Sequence, residues 1–288
     1  MSVFSIFERW LKARRNGLLV RSVRKAVRLL FYDLFHEVEL SRLANEIILA
    51  EMKKDSFIRI SGTLSEIAFW DRLFSKQIPK RATEKTQITG RHLKYFQELE
   101  QNFPVDQINI IDVGAGPFCP IGSHFGDTRL NITAVDPLAP YYDALIKKYA
   151  LDPPVKTIFA NAEKLTALFS PDSFIWVNAE NSIDHSESPI EAIRAMITLV
   201  KPGGMMTLRH ESDEALNTNY SGFHQWNLFQ ENGIFYVCGR NRDAAVNINK
   251  MVPSGWGVTV YEEVQKMGFG TRNMVFFEAR RPLQERGG

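Results

Sequence analysis

The chain has 288 residues, 44% of them hydrophobic and 24% charged, the composition of an ordinary globular protein with one large domain or a domain and an appendage. No apolar run nears the ~18 residues that span a bilayer, and the start lacks a signal-peptide core, so the cytoplasm is the expected compartment. Cys119 and Cys238 are too few for a disulfide framework or a zinc site.

The net charge of +2 conceals an asymmetry. Residues 1–30 carry eight basic side chains against Glu8, a net +7, which leaves −5 for the remainder. From Leu18 the pattern is helical: Val20, Val23, Val27, Leu30 and Leu34 form one stripe, and Arg21, Arg24, Lys25 and Arg28 lie on another face. Such a helix either packs on the rest of the protein or on a second subunit, or lies on an anionic membrane, with Phe4, Phe7, Trp10 and Leu11 as a second apolar anchor. A nucleic-acid arm fits less well, because no aromatic platform is interleaved with the basic residues. No nucleic-acid partner is expected.

Residues 36–53 read as a second helix, with Val38, Leu40, Leu43, Ile47 and Ile48 near helical spacing. Gly62 breaks the pattern, and Thr63 with Glu66 three positions on reads as a capping box that opens another helix. On it, Glu66, Phe69, Trp70 and Leu73 serve either as capping and core or as a lid over an acceptor pocket. These divisions give an N-terminal helical region over 1–77, a polar linker over 78–89 (from IPKRATEKTQIT), a main domain over 90–280 that opens with a helix from Gly90 to Glu100, and a tail over 281–288.

The main domain is organised by Ile108 to Gly122, INIIDVGAGPFCPIG. An apolar run into Asp112, followed by Gly114 and Gly116, is the pattern of a buried strand delivering a glycine loop to the carboxyl edge of a parallel sheet. Cys119 stands where a dinucleotide fingerprint needs its third glycine, and no Gly-Lys-Ser/Thr follows to make a phosphate loop. Downstream come a second strand, Leu130 to Asp136, ending in a carboxylate suited to a ribose, a third over Val155 to Ala160 and a fourth over Phe174 to Val177. The turn LVKPGG, Leu199 to Gly204, then introduces MMTLRH as a fifth.

Asp112-Val-Gly114-Ala115-Gly116, Asp136, Asn161-Ala162-Glu163 and LVKPGG, in this order, resemble the class I S-adenosylmethionine-dependent methyltransferases over roughly residues 105–210. The resemblance implies an α/β fold, a Rossmann-like and mostly parallel sheet with an antiparallel last strand, here with the N-terminal helical region added. It also implies S-adenosylmethionine as cofactor. Asp112, Gly114 and Gly116 would hold the methionine end, Asp136 the ribose and Glu163 the adenine side, with Ala115, Pro137, Ala162 and Asn178 beside them.

Asn178 to Pro189, NAENSIDHSESP, occupies the end of strand four, where this class places acceptor and catalytic side chains. A hydroxyl is a poor nucleophile until its proton leaves, and a base tuned near neutrality serves best. His185 is the candidate base, with Asp184 or Glu180 orienting it or contacting acceptor hydroxyls; the alternative is a histidine that caps a turn ahead of the helix Ile190–Leu199. His210, Glu211, Glu214, His224 and Trp226 form a second cluster past strand five, with Trp226 either stacking on a sugar or planar acceptor or serving as core. Three histidines with acids nearby raise a divalent metal, but the spacing matches no standard ligand signature and none is expected. Asn232-Gly233 marks a hairpin. Ala244 to Val252 reads as a strand, Tyr261 to Met267 as a helix and Met274 to Ala279 as the final strand, with Phe276 and Phe277 facing opposite sides.

DH…SP after strand four with GFHQW after strand five resembles a branch of methyltransferases found among bacterial surface-polysaccharide biosynthesis proteins. That resemblance implies O-methylation of a sugar hydroxyl, a glycan acceptor, and work at the inner face of the membrane; a homodimer is compatible with it. No Asn-Pro-Pro-Tyr/Phe-like motif stands at strand four, which argues against methylation of DNA bases or glutamine. The alternatives are a methyltransferase for another small metabolite, such as a lipid or quinone precursor, and a non-catalytic cofactor-binding scaffold at the membrane.

Overall fold

Ile110 and Ile111, consecutive and both fully buried, belong to two different core clusters. A strand that buries both faces lies inside a sheet covered by helices on each side, the arrangement of a parallel α/β layer. The structure, a computed structural model, describes residues 57–76, 86–267 and 270–283. The basic segment 1–30 and the helix expected over 36–53 lie outside the described residues, as does most of the expected linker.

In chain order the helices are α1 (Phe57–Lys76), α2 (Gly90–Leu99), α3 (Ala139–Lys148), α4 (Pro189–Leu199) and the single turn α5 (Glu214–Asn217). The first strands are β1 (Asn109–Val113), β2 (His124–Phe125), β3 (Thr128–Arg129), β4 (Asn131–Val135), β5 (Thr157–Ile158) and β6 (Phe174–Glu180). They are followed by β7 (Val200–Glu211), β8 (Asn227–Glu231), β9 (Ile234–Cys238), β10 (Val246–Asn247), β11 (Gly257–Met267) and β12 (Gly270–Arg280). Seven of them form one sheet in the order β11-β12-β7-β6-β1-β4-β5. β5, β4, β1, β6 and β7 run parallel; β12 is antiparallel to both of its neighbours, so the edge strand β11 points the same way as the parallel set. The sheet is therefore Rossmann-like and mostly parallel, as expected, with the last strand of the chain, β12, antiparallel. From β1 the chain adds β4 and β5 on one side and then returns to place β6 on the other, so a topological switch point lies between β1 and β6.

The described residues fall into two compact units. The larger contains the sheet, α2, α4 and α5. On α2, His92, Tyr95, Phe96 and Leu99 are buried at helical spacing. α4 starts at Ser188, whose hydroxyl accepts from the Glu191 N–H, with Pro189 pre-set for the first turn. Its Ile193, Met196 and Leu199 are fully buried in the core that also holds Ile111 and Val177, whereas Tyr95, Phe96 and Leu99 join the core of Ile110 and Trp176. Phe276 and Phe277 are both buried, as expected for a strand flanked on both sides.

The smaller unit contains α1, residues 140–151 and residues 221–223. Asp71 on α1 accepts from Lys148 Nζ at 2.8 Å and from the Tyr149 hydroxyl at 2.9 Å, while Trp70 and Phe74 pack edge-on against Tyr142 and Tyr149. Thr63 does not open a helix: α1 runs through Gly62 and Thr63, and Thr63 is buried. Gly62 is a site of close approach, because a Cβ there would meet the Phe223 ring at 2.5 Å.

Two further expectations are revised in the larger unit. Tyr261 to Met267 is a strand, not a helix, because β11 pairs with β12 along its whole length and Tyr261 stacks on Phe276 at 4.6 Å. The run YEEVQKM has mixed local preference, and the cross-strand partner decides the outcome. Ala244 to Val252 is mostly 3-10 turn, with only Val246–Asn247 extended; the Asn241 and Asn247 side chains take the Asp243 and Lys250 N–H groups and close the turns. The Asn232-Gly233 hairpin forms as read, with φ of 53° and 75° joining β8 to β9. Arg281, assigned to the tail, pairs with Asp172 and the Val200 carbonyl, and the Gly203 N–H donates to its carbonyl.

Candidate functional site at the carboxyl edge of the sheet

At the end of β1 the backbone turns through Gly114 and Gly116 with φ of +71° and +64°, a conformation that disfavours any side chain. A Cβ on Gly114 would lie 2.3 Å from Ser182 Cβ, so the loop is in close contact with the segment that follows β6. The Gly114 and Ala115 N–H groups donate to the Val135 carbonyl. Asp136, at the tip of β4, accepts from the Gly116 N–H through Oδ2 at 3.1 Å and from the Leu138 N–H through Oδ1 at 2.8 Å. The expected ribose carboxylate thus also braces the glycine loop. Pro137 follows it, half-buried.

Asp112 is 1% exposed. Its Oδ1 accepts from Asn178 Nδ2 at 2.8 Å, across the switch point. Asn178 Oδ1 accepts from the Thr207 hydroxyl, and Thr207 Oγ1 accepts from the Trp176 indole N–H, both at 2.8 Å. Asn178, expected beside the cofactor, therefore sets the orientation of Asp112. Asp112 Oδ2 has no N–H or O–H partner among the described residues; the Cys119 thiol, a weak donor, is its neighbour. Burial pushes the Asp112 carboxyl up to about 6, against the restraint of the Asn178 and Cys119 hydrogen bonds.

Two carboxylates expected to contact ligands also make hydrogen bonds within the protein. Glu163 Oε1 accepts the Glu187 and Ser188 N–H groups at 2.7 and 3.2 Å, just ahead of α4, with Ala162 half-buried beside it. Glu180, at the end of β6, lies against His92 Nε2, takes Arg91 through both carboxylate oxygens, and lies 3.7 Å from Arg209. Burial alone would raise its carboxyl; the hydrogen bond and charge of His92 and then of Arg91 reverse that and hold it at about 2. Glu211 pairs with Arg272 rather than joining the histidines beside it.

The histidine cluster forms where the 3-10 turn Ile183–His185, the end of β7 and the residues before β8 converge. Asp184, 1% exposed, is at its centre. His224 Nδ1 lies 2.7 Å from Asp184 Oδ2 and 3.2 Å from His185 Nε2, and His185 Nε2 lies 3.5 Å from the same Asp184 oxygen. His210 Nδ1 lies 3.8 Å from Asp184 Oδ1, and Glu214 Oε1 lies 3.8 Å from His224 Nδ1. Burial would raise the Asp184 carboxyl, but the charge of His185, the hydrogen bond from His224 and the charge of His210 hold it well below the usual range. Burial pushes His210 down to about 4, so it is neutral near pH 7.

Asp184, His185, His210 and His224, named from the sequence, are therefore brought together, with Glu214 as a fifth member. Trp226 braces the cluster from outside: its indole N–H donates to the Ser186 carbonyl at 3.1 Å, and its ring packs on the core. Trp70 belongs to the smaller unit and packs among its aromatic residues. Sequence reading missed Ser182, the contact over Gly114, and Asn181. Asn181 adopts φ +47°, donates its N–H to the Arg209 carbonyl and takes the Glu211 N–H on its side chain. An Asn directly after an apolar strand is the one local signal for such a left-handed residue.

No family model matches the chain, and no curated protein matches it. Among solved structures it is similar to phosphoethanolamine N-methyltransferase 2 of Haemonchus contortus in complex with S-adenosyl-L-methionine, with a TM-score of 0.44 and 16% identity over 67% of this chain and 52% of that one. The match thus spans about half the length of the Haemonchus protein. It is also similar to an S-adenosylmethionine-dependent methyltransferase of Thermotoga maritima, described as a possible histamine N-methyltransferase, with a TM-score of 0.42 and 13% identity over 75% of this chain and 95% of that one. A third is the [4+2]-cyclase SpnF, with a TM-score of 0.43 and 12% identity over 78% and 96%. Each likeness concerns the path of the chain only.

Proposed function

We propose that the protein is an S-adenosylmethionine-dependent methyltransferase acting on a hydroxyl acceptor. The observation that carries this reading is the switch point between β1 and β6. There, a glycine turn follows the carboxyl end of β1, the edge at which open α/β sheets hold ligands, and the buried Asp112 keeps an oxygen with no N–H or O–H partner among the described residues. The residues fit the cofactor. Asp112 offers an acceptor to the ammonium of the methionine end, the Gly114–Gly116 turn follows it directly, and Asp136 places a carboxylate, the group suited to ribose hydroxyls, at the tip of β4. When bound, the cofactor supplies an electrophilic methyl on a sulfonium.

The acceptor side is the histidine cluster at the ends of β6 and β7. Its task is to orient a hydroxyl and take its proton, and imidazoles held by a buried carboxylate suit that task. The choice of a sugar hydroxyl, on a bacterial surface glycan or its precursor, is supported by the DH…SP and GFHQW segments alone. The basic segment 1–30 supports work at an anionic membrane face. No helix among the described residues is long and apolar enough to cross a membrane.

Calorimetric titration with S-adenosylmethionine and with S-adenosylhomocysteine tests the cofactor. Micromolar binding of both is expected, and binding of neither rejects the reading. With binding established, incubation with nucleotide-sugars and lipid-linked glycans should yield a methyl ether. Methyl transfer to a lipid or quinone precursor instead would keep the activity and overturn the acceptor.

A further inference from the structure

Asp184 Oδ2, His185 Nε2 and His224 Nδ1 form a triangle with sides of 2.7, 3.2 and 3.5 Å. Each residue presents one ligand-type atom to the others, and the adjacent pair Asp184–His185 meets His224 from a second segment about forty positions on. Donor atoms bound to one ion at ~2.0–2.2 Å stand about 3.3 Å apart on a tetrahedron and about 2.9 Å apart on an octahedron. The two longer sides already have such lengths, and the short one is a hydrogen bond that needs only a small opening.

The surroundings point the same way. His210 is 1% exposed, and neither ring nitrogen has a hydrogen-bond partner among the described residues; Asp184 Oδ1, at 3.8 Å, has none either. Buried polar atoms are seldom left so. A carboxylate that ligates through Oδ2 needs its other oxygen held, and His210 stands at that oxygen, the usual relation between a ligand and its outer partner. Glu214 stands at the same distance from His224.

We propose that Asp184, His185 and His224 bind a divalent transition-metal ion of the zinc class, with His210 and Glu214 as outer partners. Two imidazoles with one carboxylate select such an ion over magnesium or calcium, whose sites are built from oxygens. Three protein ligands leave positions open for water or for the oxygen of an acceptor hydroxyl, whose proton loss the ion would favour. The role in proton loss rests on the methyltransferase reading; the binding of the ion does not.

The test uses the full chain, free of any affinity tag and stripped with a chelator. It is titrated with Zn2+ by calorimetry and with Co2+ by visible ligand-field absorption. One equivalent per chain is expected, with an absorption band of imidazole-bound Co2+. His185→Ala, at a half-buried position that should not disturb folding, and Asp184→Asn should each weaken binding by at least about tenfold. His210→Ala should weaken it by roughly 10- to 100-fold. His124→Ala, outside the cluster, should leave it unchanged. Failure of the wild-type chain to bind, or binding unaffected by His185→Ala, overturns the proposal. Titration of the same sample with S-adenosylmethionine separates the two ideas. Cofactor binding without metal binding overturns the metal site alone, and metal binding without cofactor binding overturns the methyltransferase reading alone.

Discussion

The glycine loop and the histidine cluster lie along one edge of one sheet, yet they are built in opposite ways. The loop is local: Asp112, Gly114 and Gly116 lie within five consecutive residues, and the loop is held largely by backbone hydrogen bonds to the tip of β4. The cluster is assembled from side chains on three separate segments, and a buried carboxylate holds it together. A site held by backbone is sensitive to steric change and tolerant of side-chain chemistry. A site held by a buried charge has the reverse sensitivities.

The largest effect should come from the cluster. His185→Ala is expected to cut turnover by roughly 10²- to 10⁴-fold with little change in affinity for S-adenosylmethionine, because the loop is untouched. Unchanged turnover would remove His185 from the reaction, and a parallel loss of cofactor affinity would erase the distinction between the two regions. At the loop, Gly114→Ala combines a left-handed backbone with a Cβ 2.3 Å from Ser182 Cβ, and should cost about 3 kcal/mol in chemical denaturation. The double variant with Ser182→Gly should recover the steric part; no recovery would place the whole cost in the backbone.

Glu180 is held at about 2, below its ordinary value of 4.5, by His92 and Arg91. Its ionised form is therefore favoured by folding. The stability it supplies, on the order of 2–3 kcal/mol, is complete above pH ~4.5 and is lost as pH falls towards ~2. Glu180→Gln should flatten that acid limb in a pH series of melting curves, and an unchanged limb would assign it to other carboxylates.

The smallest effect is the most specific. Asp112 is pushed up to about 6, so below that pH it becomes neutral and no longer attracts an ammonium group. Affinity for S-adenosylmethionine should fall by up to about tenfold per pH unit below ~6, and Asp112→Asn should bind weakly at every pH with no such slope. An identical slope in the variant would move the ammonium contact elsewhere.

What the sequence made legible follows the same division. Ile110 to Gly116 announces itself because strand, acid and glycines are contiguous and each has one physical role. The Asn232-Gly233 hairpin was legible for the same reason. The identities of Asp184, His185, His210 and His224 could be read from residue type near strand ends, but their arrangement could not. Nothing local says that His224 rather than His185 makes the shorter contact with Asp184. The internal partners of Glu180 and Glu163, namely Arg91, His92 and the Glu187 backbone, were not legible because they are distant in the chain or carry no side-chain signal. Tyr261 to Met267 was misread because a strand at a sheet's antiparallel edge can carry charged residues that also suit a helix, and only β12 decides between them.

The line from Trp176 through Thr207 and Asn178 to Asp112 has a fixed polarity. An indole can only donate, so Thr207 must pass its own hydroxyl proton to the Asn178 carbonyl, and the amide then presents its N–H to the carboxylate. Every dipole in the line points its positive end towards Asp112, and the orientation of the Asn178 amide is settled without ambiguity. The far end of the line is a fully buried tryptophan. Its indole proton is thus a built-in spectroscopic probe: ionisation of Asp112, or arrival of a cation against it, should register as a resonance shift on the neighbouring strand, with no label introduced into the site.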